Sequence, residues 1–316
     1  MRLTNEQLKS IYFGALRFEQ TQDGYLQAFQ YSESQTEYFA NSPITFWYDR
    51  CSASTAKTFE FSTCATKISF GYKFIWKGSE DSVDLYVNGL AAAIRHVKDL
   101  DEEGIISFDL PQGEKQVIIY LPADATLLVK DFEINADFVP AVKGEKVLWI
   151  GDSITQGFGS FRSSHTYVSA ANRLLNYDII NQGIGGYVYD KNTMVPMGDY
   201  RPEKIIIAMG TNQFHSETMK DVEEYYKCLK NVYGDTPVLC VSPLWRGDHP
   251  ESYDVFVRFC ENVKKIAGQY PNVKVVDGFK LVPHLPEYFI DKLHPNCLGM
   301  ELYARNLVDE IRKCGF

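Results

Sequence analysis

Apolar and polar positions change their spacing near residue 140, and this change divides the chain into two predicted parts. The first part carries short strand-like runs that are separated by turn residues such as Asn88-Gly89. These runs are KTFEFST, KISFGYKFIW, SVDLYVNG, GIISFDLP, KQVIIYLP and TLLVKDFEI. A short helix over residues 4–10, a hairpin around QTQDGY and a second helix near SESQTEYFA precede them. Short strands at this spacing indicate an all-β, jelly-roll-like sandwich over residues 1–140.

Strand-like and helical patterns alternate over residues 145–316, after a linker that reads NADFVPAVKGEK. The predicted strands are VLWIG, DIINQG, KIIIAMG, PVLCVSP and VKVVDGF. The segment SETMKDVEEYYKCLKNVYG has helical periodicity, with Ser216 as its expected N-cap and Gly234 at its end. This alternation predicts an α/β domain in which helices cover both faces of a parallel sheet, giving three layers, α/β/α.

The first strand of the α/β domain ends in Gly151-Asp152-Ser153, within the stretch VLWIGDSITQGFGS. Parallel sheets place their chemistry at the carboxyl ends of the strands, so Ser153 is a candidate nucleophile. The alternative is that Ser153 only caps the helix that follows, since serine is a good N-cap residue.

Two further strand ends carry groups that can donate to a developing oxyanion. After DIINQG, the paired glycines Gly185 and Gly186 can turn a backbone N–H toward a bound oxygen. After KIIIAMG, the side-chain amide of Asn212 can donate to the same oxygen. A flexible glycine loop and an asparagine that closes a turn are the structural alternatives.

The segment DKLHPN, just before the last helical pattern, places Asp291 and His294 one helical turn apart. At this spacing the carboxylate can bind one imidazole nitrogen and leave the other free to accept a serine proton. The alternative is an exposed turn with an incidental histidine.

At these four segments the chain resembles the SGNH (GDSL-type) hydrolase superfamily, whose motif blocks match GDSIT, NQGIGG, GTNQF and DKLHPN. The resemblance covers the chain from about residue 145 to its end. It implies Ser153 as nucleophile, His294 as base and Asp291 as the group that orients the base. It also implies an oxyanion hole made of the backbone N–H groups of Ser153 and Gly186 with the Asn212 side chain.

A β-rich domain before an SGNH domain is similar to the arrangement in family 2 carbohydrate esterases, which remove acetyl groups from plant polysaccharides. We expect substrate binding by Asp152, Tyr187, Trp245 and Arg246. Trp245 offers a flat wall for a sugar ring, or else packs across the domain boundary. Tyr187, Phe158 and Phe214 either narrow the acyl pocket or lie in the core.

Composition excludes some partners. The 45% hydrophobic and 23% charged residues predict a globular chain, and the net charge of -9 gives no basic surface for nucleic acid or an anionic membrane.

The opening MRLTNEQLKS lacks an apolar signal segment, and the seven cysteines include no CxxC pair, so we expect a cytoplasmic protein. We expect no metal, because His165, His215 and His249 show no ligand spacing, and we expect no cofactor. Homo-oligomerisation is left open.

These observations predict a serine esterase that hydrolyses short-chain esters, foremost acetyl esters of carbohydrates or another small-molecule ester. One alternative is an acyltransferase that uses the same residues with a sugar or metabolite hydroxyl as acceptor. Another is a carbohydrate-binding protein without catalysis.

Overall fold

The computed structural model describes all 316 residues. Residues 1–140, here called the sandwich, contain three short helices and eleven strands. In chain order these are α1 (Asn5–Ile11), β1 (Tyr12–Phe13), β2 (Arg17–Gln20), β3 (Leu26–Phe29), α2 (Glu33–Ala40), α3 (Phe46–Cys51), β4 (Thr58–Thr63), β5 (Lys67–Lys77), β6 (Ser82–Val87), β7 (Leu90–His96), β8 (Glu103–Asp109), β9 (Lys115–Tyr120), β10 (Ala125–Ile134) and β11 (Phe138–Pro140).

Two antiparallel sheets make up the sandwich. One has the order β1-β4-β9-β6-β7, with β11 beside β4, and the other has the order β2-β3-β10-β5-β8. Both contribute to a single apolar core, in which the rings of Phe70 and Phe132 stack at 5.7 Å and Phe59 meets both of them edge-on. The predicted all-β architecture is therefore confirmed.

Strand β7 was not predicted from the sequence. Its first residues, Leu90 to Ala92, are exposed, and the run of alanines has low strand propensity. The strand forms because it pairs with β6, which is buried along its whole length.

Residues 145–316, here called the α/β domain, contain five strands and five helices. In chain order these are β12 (Lys146–Gly151), α4 (Ser153–Gln156), α5 (Tyr167–Leu175), β13 (Asp178–Gly183), β14 (Lys204–Ala208), α6 (Lys220–Tyr233), β15 (Val238–Val241), α7 (Tyr253–Ala267), β16 (Val273–Val276) and α8 (Cys297–Cys314).

The sheet of the α/β domain is parallel, in the order β13-β12-β14-β15-β16. Helices α6 and α7 pack on one face, and α5 and α8 pack on the other. This is the three-layer arrangement that the strand–helix alternation predicts. No helix combines the length and apolar character that a bilayer crossing requires.

The beginning of α6 differs from the prediction. Ser216 does not cap the helix, which begins at Lys220 with Met219 as an N-cap that makes no side-chain hydrogen bond. Asp221 and Glu223 lie in the first turn, where carboxylates interact favourably with the positive end of the helix dipole. The end of α6 at Gly234 is as predicted.

Helices α2 and α3 belong to the sandwich in sequence but pack against the α/β domain. Phe39 and Trp47 lie in the same apolar core as Ile180 and Tyr187, on the face of the parallel sheet that α6 and α7 cover. The Tyr31 hydroxyl also donates to the carbonyl of Gln182 in β13, at 2.9 Å. The two parts of the chain therefore share a continuous interior.

Candidate active site

Ser153 is the first residue of α4, directly after the carboxyl end of β12. The strand is buried, and Gly151 allows it to end close to the start of α4. A Cβ on Gly151 would lie 2.0 Å from Oγ1 of Thr155 and 2.5 Å from the carbonyl oxygen of Ala208. Glycine is thus required here by close packing, and the chain turns so that Ser153 lies at the edge of the sheet.

The N-cap of α4 is Asp152, whose Oδ1 accepts from the N–H of Ile154 at 3.1 Å. The Ser153 side chain is therefore not the cap. Asp152 is only 2% exposed, and burial raises the pKa of its carboxyl group to about 7. The expectation that Asp152 binds substrate is corrected: its carboxylate holds the start of the helix.

His294 lies between Ser153 and Asp291. Its Nε2 is 2.8 Å from Oγ of Ser153, and its Nδ1 is 2.6 Å from Oδ2 of Asp291. With Nδ1–H donating to the carboxylate, Nε2 is the atom that can accept the serine proton. The structure thus brings Ser153 together with the Asp291–His294 pair, although His294 lies 141 positions later in the sequence.

The turn that carries Asp291 is built by hydrogen bonds within a few residues. Oδ1 of Asp291 accepts from the backbone N–H groups of Leu293 and His294 at 3.0 and 2.7 Å. Burial raises the pKa of the Asp291 carboxyl, but the bonds from the His294 backbone and ring outweigh it and hold this pKa below its ordinary value. The carboxylate is therefore ionised and fixed in place. The Phe158 ring meets the imidazole edge-on at 4.7 Å, on the side toward α4.

Three groups with free N–H donors lie at the neighbouring strand ends. Gly186 has a φ of +73°, which favours glycine, and its N–H has no acceptor within the chain. The N–H of Ser153 has no intrahelical acceptor because Ser153 begins a helix. One N–H of the Asn212 amide donates to the carbonyl of Tyr187 at 2.9 Å, which fixes the amide beside the glycine loop and leaves its second N–H free.

The glycine loop is held by a side chain that the sequence did not single out. Gln156, at the end of α4, accepts from the N–H of Gly185 at 2.7 Å and donates to Oδ1 of Asp124 at 2.7 Å. Asp124 lies between β9 and β10 of the sandwich, and its Oδ2 accepts from the N–H of Ser79. The sandwich therefore helps to position the loop. No local pattern indicates this link, because its members are distant in sequence.

Helix α3 of the sandwich covers the same loop. A Cβ on Gly185 would lie 2.3 Å from a guanidinium nitrogen of Arg50, and one on Gly186 would lie 3.0 Å from the Phe46 ring. No sequence pattern indicates these contacts either, because SPITFWYDRC carries no recognisable motif.

Two of the expected substrate-binding residues lie in the interior. Tyr187 is 2% exposed, its hydroxyl is hydrogen-bonded to Thr193, and its ring meets Trp47 edge-on at 5.3 Å. Arg246 is 6% exposed, forms an ion pair with Asp248 and donates to the carbonyl of Thr211 at 2.7 Å. Both side chains are occupied by structural contacts, so the expectation that they bind substrate is corrected.

The remaining aromatic candidates divide. Trp245 is half-buried and stacks on His284 at 5.5 Å, with Phe289 edge-on at 5.2 Å, so it packs within the α/β domain and not across the boundary. Phe214 is buried in the core. Phe158 is half-buried and lies against His294, beside the hydrogen-bonded Ser153–His294–Asp291 series.

A cavity of about 810 Å³ lies elsewhere, between the sandwich and α5. It includes the buried ion pair between Lys143 and Glu60, at 2.6 Å, and none of the candidate active-site residues. No group of three His, Cys, Asp or Glu side chains is placed to hold a metal ion.

A comparison with protein families finds one match, which lies within the α/β domain. Residues 149–302 match the profile of the GDSL-like Lipase/Acylhydrolase family. No curated protein matches the chain by sequence.

Solved structures share most of this fold at low sequence identity. The salicylyl-acyltransferase SsfX3 from a tetracycline biosynthetic pathway is 19% identical, with a TM-score of 0.77 over 96% of this chain and 94% of its own. A family two carbohydrate esterase from Clostridium thermocellum, in complex with cellohexaose, is 17% identical, with a TM-score of 0.64 over 83% of this chain and 94% of its own. An acetyl xylan esterase from the rumen bacterium Butyrivibrio proteoclasticus is 18% identical, with a TM-score of 0.61 over 83% of this chain and 90% of its own.

Proposed function

We propose, from the premise that the α/β domain belongs to the GDSL-like lipase/acylhydrolase family, that this esterase hydrolyses short-chain esters of carbohydrates, foremost acetyl esters. The observation that carries the proposal is the hydrogen-bonded series Ser153–His294–Asp291, with distances of 2.8 and 2.6 Å. A serine, an imidazole and an ionised carboxylate in this order form the constellation that activates a hydroxyl nucleophile.

The reaction proceeds in two steps. Oγ of Ser153 attacks the ester carbonyl carbon while Nε2 of His294 takes the hydroxyl proton, and the alcohol leaves with that proton. Water then attacks the acyl carbon, His294 takes a proton from the water, and Oγ of Ser153 leaves with it as the acid is released. In both steps the carbonyl oxygen becomes an anion, which the N–H groups of Ser153 and Gly186 and the Asn212 amide stabilise.

Two observations support a short acyl group and a carbohydrate alcohol. Phe158 and Phe46 lie beside the imidazole and the glycine loop, and they leave the anion site bounded by bulky side chains. Two of the structurally similar proteins are esterases whose names include carbohydrate or acetyl xylan.

An acyltransferase is the second candidate, and one observation favours it. The acyltransferase SsfX3 matches this fold over 96% of the chain, with a TM-score of 0.77. The same triad would then pass the acyl group to a sugar or metabolite hydroxyl instead of water. Purely carbohydrate-binding function is disfavoured, because a non-catalytic protein has no need of a hydrogen-bonded triad.

The test is hydrolysis of 4-nitrophenyl acetate with and without added alcohol acceptors. We expect free acetate as the main product and loss of turnover in Ser153→Ala, with an unchanged thermal unfolding midpoint. Ser216→Ala, an exposed change of the same type, is the control and should retain activity. Activity in Ser153→Ala would exclude the proposed mechanism, and dominant transfer at modest acceptor concentration would favour the acyltransferase.

The carbohydrate part of the proposal is tested separately. We expect acetylated xylo-, manno- or gluco-oligosaccharides to be deacetylated with a higher kcat/KM than 4-nitrophenyl esters of longer acids. A steady increase of kcat/KM with acyl length would contradict the proposed preference for short acyl groups.

A further inference from the structure

Two hydrogen-bond donors of helix α3 lack acceptors at the glycine loop. The guanidinium of Arg50 makes no hydrogen bond and no ion pair, although it lies against Gly185. The indole N–H of Trp47, a residue only 3% exposed, also has no partner. It lies 3.9 Å from the position that a Cβ on Gly186 would take. Both groups can donate and neither can accept.

Buried polar groups in folded proteins are nearly always hydrogen-bonded, so an unpartnered indole N–H calls for an explanation. The neighbouring Arg50 points to an anionic ligand as the explanation, because a guanidinium carries five donors and a permanent positive charge. Its plane lies over the Phe46 ring at 4.7 Å, which fixes its orientation. Phe46 itself is 43% exposed, so this cluster is open to solvent on one side.

We propose that Trp47 and Arg50 bind a carboxylate of the substrate beside the oxyanion site, so that the preferred esters are acidic. The inference rests on the proposed esterase function and names the class of its substrate. A carboxylate fits because a planar guanidinium binds it in a bidentate manner, and the indole N–H supplies a further donor. The remaining apolar surface of Phe46 is available to the carbon skeleton.

The carboxylate can belong to either half of the ester. In the alcohol half it would be that of an acidic sugar, and in the acyl half it would be the second carboxylate of a dicarboxylic acid. Both sources present the same chemistry to Arg50, and the experiment separates them.

The experiment compares kcat/KM for two matched pairs of esters. Acetylated methyl glucuronoside against acetylated methyl glucoside tests the alcohol half. 4-Nitrophenyl succinate against 4-nitrophenyl butyrate tests the acyl half. In at least one pair we expect the acidic ester to be preferred by about 10- to 100-fold, since a hydrogen bond to a charged group contributes about 1.5–3 kcal/mol.

Variants then locate the preference. Arg50→Gln should abolish it, Arg50→Lys should retain part of it, and Trp47→Phe should reduce it while keeping an aromatic ring. Arg312→Gln removes the same charge near the far end of α8 and should leave the preference unchanged. A spectroscopic check of folding accompanies each variant. Competitive inhibition of the unmodified protein needs no variant. We expect methyl glucuronoside to have a lower inhibition constant than methyl glucoside, or succinate a lower one than butyramide.

The outcomes distinguish the two proposals. If the neutral esters are hydrolysed but no acidic ester is preferred, or if the preference survives in folded Arg50→Gln, this inference is wrong and the esterase function stands. If the unmodified protein hydrolyses none of the four esters, both proposals fail.

Discussion

The two sides of the site differ in how they are built. The triad side, Ser153, His294 and Asp291, comes from the α/β domain alone, and Asp291 is fixed by bonds to residues two and three positions away. The loop side, Gly185 and Gly186, is held by Gln156, Asp124 and helix α3, so it depends on both parts of the chain. Short motifs thus specify the chemistry, whereas long-range packing shapes what surrounds it.

Burial separates the two sides further. The Asp291 side chain is 46% exposed, while Asp124 is 5% exposed and Gln156 is 1% exposed. Substitution of the exposed Asp291 should therefore remove activity with little effect on stability, because an exposed group is readily solvated. Substitution of a buried loop-side group such as Asp124 should affect both, because it leaves buried partners unsatisfied.

The largest loss of activity is expected for His294→Gln. Removing the base should lower kcat by on the order of 10⁴–10⁶, as triad histidines do elsewhere. The unfolding midpoint should change little, because the only side-chain hydrogen bonds of His294 are those to Ser153 and Asp291. Single-turnover kinetics and thermal unfolding test this, with the exposed His215→Gln as a control that should retain activity. A marked fall in the unfolding midpoint would show that the triad side, like the loop side, also contributes to stability.

Asp291→Asn should lower kcat by about 10³–10⁴, because the amide favours the wrong imidazole tautomer. The pKa of this carboxyl lies below its ordinary value, so the ionised form is the one the native structure stabilises. Asp109→Asn, an exposed change in β8 with no side-chain contact, is the control. Near-normal kcat in Asp291→Asn would show that the backbone alone orients His294.

Asn212→Ala tests the exposed amide donor beside the glycine loop. Loss of one oxyanion donor should lower kcat by about 10²–10³ with little change in KM. Because Asn212 is exposed, stability should change little. An effect confined to KM would assign the amide to substrate binding instead.

Asp124→Asn tests the buried link between the two parts of the chain. We expect the free energy of unfolding to fall by about 1–3 kcal/mol, since buried donors lose a charged acceptor. We also expect a fall in kcat of about 10-fold, because each 1.4 kcal/mol lost from positioning the glycine loop corresponds to a tenfold change in rate. Chemical denaturation and steady-state kinetics measure the two effects. Loss of stability with unchanged kcat would show that the link is structural only.

The smallest effect on rate is expected for Asp152→Asn, which changes how stability depends on pH. Burial raises the folded-state pKa of Asp152 from 3.8 to about 7, so the folded protein binds a proton that the unfolded chain releases. This contribution is present below pH 4 and is lost as the pH rises to about 7, by up to about 4 kcal/mol. Asparagine can still cap α4, so the variant should show a flatter profile of unfolding free energy between pH 4 and 7. An unchanged profile would place the titration elsewhere.

The sequence predicted most elements and the triad because each leaves a local pattern. Strand β12 is an unbroken apolar run, and Asp291 and His294 are three positions apart. The failures are instructive. Nothing in the sequence distinguishes Arg246, whose guanidinium is bound by Asp248 and Thr211, from Arg50, whose guanidinium is unpaired. Tyr187 follows the glycines of the loop, yet its ring points into the core. Which partner a side chain finds is a property of tertiary packing.

The sharing of one interior by helices α2 and α3 and the parallel sheet also bears on protein engineering. A shortened version that starts near residue 145 would expose the surface that Phe39 and Trp47 now cover, and we expect it to aggregate. A chimera with another sandwich would carry different side chains over Gly185 and Gly186, because helix α3 belongs to the sandwich. Exchanging the sandwich would therefore also replace Trp47 and Arg50, the side chains that we propose select the substrate.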